Sequence, residues 1–292
     1  MKYRLNESLY SRASTSIDAI YCEMRNMSAV EGLNSNFFGR LLVSVADTFT
    51  GICSTAASNV ARLSKSIKRG ELHEFVDSNR LKMRTVDDIP YSRLVGFEVD
   101  VPANLQGTYK NAINNISQVY IRLNTLNTAK LLQTTLINIY TSLSNGDGRS
   151  SGLISSTASV IQSIIKASND TVQDCHRNFS GSFVRKAKYE DVFLTKEEWV
   201  ESRNMLIELE PRLQEAKTIR ETLERIEATL KNICSFMGDN PDKLGQKDVM
   251  NFGETVKRVA FIMDGYNLAI TRQMALEHNY VLMTNAIYAG VK

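Results

Sequence analysis

The chain has 292 residues, 43% hydrophobic and 23% charged, enough apolar material for one large domain or two ordinary ones. Its 35 basic and 32 acidic residues are interspersed and leave a net charge of +3, too small to argue for a nucleic-acid partner. The most apolar span, residues 41–61, is broken by Asp47 and diluted by Ser, Thr, Asn and Gly, so no membrane helix is expected.

The start, MKYRLNESLYSRAS, lacks the apolar stretch of a secretory leader. Cys22, Cys53, Cys175 and Cys234 are far apart and form no CxxC pair, so they read as buried, reduced thiols of a cytosolic protein. Only 4 prolines occur, and each internal proline costs a helix about 3 kcal/mol, so long uninterrupted helices are favoured.

In chain order, residues 7–27 predict a helix, 31–39 a break, 40–69 a helix of small residues, and 71–81 a short third helix. Together these form an N-terminal helical region, 1–90. The period then changes. Val95, Phe97, Val99 and Val101 alternate with Gly96, Glu98 and Asp100 between Pro90 and Pro102, which predicts a half-buried strand in a linker over 91–104. A lone strand leaves its backbone groups unsatisfied, and the internal candidate for a partner is 182–195.

From Leu105 to Leu143 the period is 3.6, with Tyr109, Ile113, Ile116, Tyr120, Leu123, Leu132, Leu136, Ile139 and Leu143 in register. With the loop SNGDGRSSG and a helix over 153–177, this predicts an antiparallel α-hairpin spanning 105–180. The C-terminal region, 181–292, opens with a capping box at Thr195–Glu198, and Leu194 and Trp199 are placed as its hydrophobic staple. Leu206, Leu209, Leu213 and Ala216 follow at 3-4-3 spacing. After a slip near Ile219, Leu223, Ile226, Leu230, Ile233 and Met237 keep a heptad, which is coiled-coil-like. Pro211 predicts a kink or a helix junction. A turn at 238–245 precedes a final helix with Phe252, Val256, Val259, Met263, Tyr266 and Ile270 on one stripe. The fold class is therefore mostly α: a long-helix bundle with an α-hairpin, a coiled-coil-like segment and a minor β element near 91–102.

No catalytic, cofactor-binding or metal-ligating set is assigned. His73 and Glu74 lie in ELHEF, which lacks the second histidine of HExxH. Cys175 and His176 are adjacent, and neighbours on a helix point about 100° apart. The glycine-rich SNGDGRSSG follows a helix and lacks the lysine of a phosphate loop, and Asp147 lacks the later acids of a calcium loop. The basic clusters Lys65, Lys68, Arg69 and Arg185, Lys186, Lys188 are short and flanked by acids, so they read as solvated faces, as do Asp87 and Asp88. The expected interfaces are protein–protein: the heptad stripe Leu223, Ile226, Leu230, Ile233 and Met237, and the strand residues Val95, Phe97, Val99 and Val101; spacing equally suits packing of the heptad stripe on the chain's own Val256, Val259, Met263 and Tyr266.

The Asn/Ser/Thr-rich helix NAINNISQVYIRLNTLNTAK at 111–130 and the isolated strand in YSRLVGFEVDVP at 91–102 give the chain a texture that resembles virion structural proteins of tailed bacteriophages. The resemblance covers the whole chain and rests on no motif. It implies a non-enzymatic subunit of tail, baseplate, neck or inner capsid, without cofactor, binding other structural subunits as a homo- or hetero-oligomer. It also implies assembly in the host cytoplasm and residence in the virion, with neither nucleic acid nor membrane as partner. The alternative is a cytosolic helical binding module or regulator.

Overall fold

The computed structural model describes residues 71–103, 105, 107–146, 184–240 and 246–291, with scattered positions within 15–61 and 152–170. The expected helices at 7–27, 40–69 and 153–177 and the turns at 31–39, 147–152 and 241–245 lie outside the described residues, except that the scattered positions are helical. In chain order the elements are α1 (Glu71–Ser78), α2 (Arg80–Asp88), α3 (Tyr91–Leu94), β1 (Glu98–Pro102), α4 (Tyr109–Leu123) and α5 (Thr125–Asn145). They are followed by β2 (Val184–Lys188), α6 (Tyr189–Val192), α7 (Lys196–Asp239) and α8 (Gln246–Val291). Among the described residues helix dominates, at 86%, and the sheet has two strands.

Two helices of 44 and 46 residues, α7 and α8, form the spine; at 1.5 Å per residue they are about 66 and 69 Å long. The cap of α7 forms as expected, with Thr195 Oγ1 accepting the Glu198 N–H at 3.2 Å while Glu198 accepts the Leu194 N–H at 2.8 Å. The staple does not form: Leu194 is 59% exposed, while Trp199 is buried. Trp199 is taken instead by an aromatic cluster, stacked on Tyr280 at 4.2 Å and edge-on to Phe193 at 5.1 Å. Pro211 makes no junction, because α7 continues through it. Its position is exposed, so the Ile207 carbonyl that loses an amide partner can turn to solvent. Ile219, placed at the slip, is itself buried and joins the two halves of the stripe.

Between Val256 and Ile270, α8 buries residues all around its circumference, which marks it as the centre of the core. The first arm of the predicted hairpin is divided. Asn124 takes the left-handed conformation (φ 37, ψ 62), which asparagine tolerates, and it separates α4 from α5. As a result α4 lies against α8 and α7, while α5 runs along α7. The predicted stripe is buried in both pieces. Gly265 allows the close approach of α4 to α8: a Cβ there would sit 2.6 Å from Leu123 Cδ1. Arg122 reaches the 152–170 segment, donating to the Ala167 carbonyl at 2.8 Å.

The strand forms, but later than the alternation predicts: Tyr91–Leu94 is a helical turn and β1 starts at Glu98. Its partner is the expected one. β2 pairs antiparallel with Glu98 opposite Lys188, Asp100 opposite Lys186, and Val99 opposite Ala187. The opposed charges lie on the solvent face, where Lys186 meets Asp100 at 2.9 Å, and the apolar pair faces the core.

Candidate functional site

The core of this bundle carries a polar seam where α1 meets α7 and α8. On α7 the inward positions near the seam are Ser202, Leu206, Glu210 and Leu213, so the carboxyl of Glu210 points inward and Leu209 lies at its margin. On α8 the corresponding row is Gln273, Glu277, Tyr280 and Thr284, all buried. Glu277 is 2% exposed and Glu210 8%.

Each acid has a defined donor. Glu210 accepts the backbone N–H of His73 at 2.9 Å. That amide belongs to the first turn of α1, whose N–H groups have no partner within the helix, so Glu210 acts as a cap supplied by another helix. Glu277 accepts from the Gln273 amide at 2.8 Å, and the Gln273 carbonyl accepts from Tyr120 at 3.0 Å, which orients the amide. Tyr109 of α4 donates to the Leu276 carbonyl beside them. At the rim, Glu71 faces His278 at 3.5 Å, and His73 faces Asp77 at 3.3 Å.

Burial dominates the acidity of these groups. It pushes the Glu277 carboxyl up to about 8, and the Glu210 and Glu71 charges push the same way, against the Gln273 hydrogen bond. Burial raises Glu210 as well, with its contacts to His73 opposing. The same desolvation raises the phenols of Tyr109 and Tyr120. Two weak acids this deeply enclosed can hold and release a proton. Among the described residues no three of His, Cys, Asp and Glu converge as a metal site.

The residues expected to form interfaces are divided by the fold. Leu223, Ile226, Leu230 and Ile233 are buried in the main core, so these four are covered by the chain's own helices. That is the internal reading of the stripe, since a heptad stripe is satisfied equally well by helices of its own chain. The side chain of Met237 lies outside the described residues. Val99 and Val101 are buried beneath the sheet, Phe97 is half-buried beside Gly290, and Val95 is 51% exposed at the end of α3.

Other expectations change too. Asp87 is not a solvated turn residue; it lies in the last turn of α2 and receives Arg203 through both oxygens, at 3.0 and 2.8 Å. Arg185 donates to the Leu105 carbonyl at 3.0 Å. Cys22 is exposed, not buried. Cys234 is buried, and burial pushes its thiol up to about 12. Cys53, Cys175, His176, Lys65, Lys68, Arg69 and Asp147 lie outside the described residues. Among the described residues no helix is long and apolar enough to cross a membrane. No family model, curated protein or solved structure matches the chain.

The apolar stripes hid Glu210 and Glu277 from the sequence reading. The available signal was spacing: Glu210 lies four residues from Leu206 and three from Leu213, and Glu277 lies four from Gln273 and three from Tyr280.

Proposed function

We propose that this protein is a non-enzymatic structural or assembly subunit, and that its place is a tailed-phage particle. The observation that carries the reading is the length of the spine: helices of 44 and 46 residues, about 66 and 69 Å long, exceed the about 50 Å diameter of a compact globule of this chain length. Elongated subunits of this kind gain their stable contacts from neighbours. The Asn/Ser/Thr-rich helix at 111–130 and the strand at 98–102 are what point to a phage particle in particular.

Light scattering on the purified chain tests the assembly role: a mass several times 32.8 kDa is expected, or co-sedimentation with particles from infected cells. A monomer at every concentration that stays out of particles overturns it and favours the regulator or binding module.

A further inference from the structure

At the α1–α7–α8 seam the fold itself decides the charge state of its acids. Glu210 has a use for its negative charge, since it caps the first turn of α1 through the His73 N–H. Glu277 meets a neutral amide donor and two like charges, Glu210 from α7 and Glu71 from α1. His73 acts on Glu210, His278 turns its Nδ1 to Glu71, the phenols of Tyr109 and Tyr120 close the α4 side, and beyond Tyr120 lie Arg212 and Glu215 of α7, paired with each other at 3.0 Å. Two enclosed carboxylates beside a third cannot all be ionised without a large desolvation and repulsion cost.

We propose that this seam is a proton-operated latch. With one proton held on the buried acids, α1 stays seated on α7 and α8; loss of that proton frees α1 while the long-helix core remains folded. The element that moves is set by anchorage. Helix α1 has eight residues, carries Glu71, and is held mainly by Leu72, with Phe75 and Val76 at the margin of the core. Helix α2 has independent ties, Asp87 to Arg203 and Lys82 to Asn285 at 2.9 Å, so it stays in place. Moving α1 separates Glu71 from Glu277 and admits water to both buried acids, which relieves the repulsion with the least loss of packing.

Hydrogen exchange on the full chain at about pH 6 and about pH 8.5, corrected for intrinsic rates, tests the latch. Protection of the α1 amides is expected to fall by about tenfold per pH unit until Glu277 is fully ionised, the slope for one linked proton. Protection in α7 and α8 stays level. In Glu277→Gln, α1 protection is expected to be the same at both pH values. A wild-type α1 that does not respond, or a variant that responds as the wild type does, overturns the proposal. Should the variant fail to fold, carboxyl-carbon NMR of the wild type decides. One glutamate titrating above about pH 7 supports the latch, and all glutamates titrating below about pH 6 overturn it.

Discussion

Folding makes Glu277 a weaker acid, and this ties stability to pH with a definite sign. Unfolded, its carboxyl titrates near its ordinary 4.5; folded, near 8. Between those values the native state keeps a proton that the unfolded chain has lost. Stability therefore falls as pH rises across that window, by about 1.4 kcal/mol per unit, and the contribution levels off above it. Urea midpoints between about pH 5.5 and 8 should decline more steeply in the wild type than in Glu277→Gln, and parallel declines would refute the linkage. A second residue-scale expectation concerns Tyr189, whose hydroxyl is buried without a hydrogen-bond partner among the described residues. Removing an unpaired buried hydroxyl relieves a desolvation penalty, so Tyr189→Phe should melt no lower than the wild type. A loss of more than about 1 kcal/mol would mean that the hydroxyl is satisfied after all.

The elements show which local signals survive packing. Period 3.6 located α4, α5, α7 and α8 because one buried stripe is nearly all a long helix needs. The change to period 2 located β1, and its need for a ladder partner pointed to 182–195; the register that puts Glu98 opposite Lys188 and Asp100 opposite Lys186 came only with the fold. Three things were not legible. The α4–α5 break depends on one asparagine adopting positive φ, which composition does not announce. The inward acids needed the positions of three helices at once. The owner of the heptad stripe was also open, because spacing cannot tell an internal partner helix from an external one. Two experiments follow. Asn124→Gly should leave the melting temperature nearly unchanged, and Asn124→Val should cost about 1–2 kcal/mol, since β-branched side chains resist φ of 37°. The double variant Leu223→Glu, Leu230→Glu buries two unpaired charges and should unfold outright by circular dichroism. A folded double variant that merely fails to assemble would restore the stripe as an interface.

At the scale of the molecule, the most enclosed element follows in chain order every described element that encloses it. The length of α8 between Val256 and Ile270 is surrounded by buried contacts, and farther along it meets α1, α2 and β1. A ribosome adding about 5–20 residues per second therefore exposes α4, α5 and α7 for many seconds before their central partner exists. Leu223, Ile226 and Leu230 are meanwhile open to water or to any apolar surface nearby. The nascent chain is therefore expected to bind holding factors until α8 has emerged. A pulse of protease during synthesis should cut α7 freely until α8 has emerged and spare it afterwards.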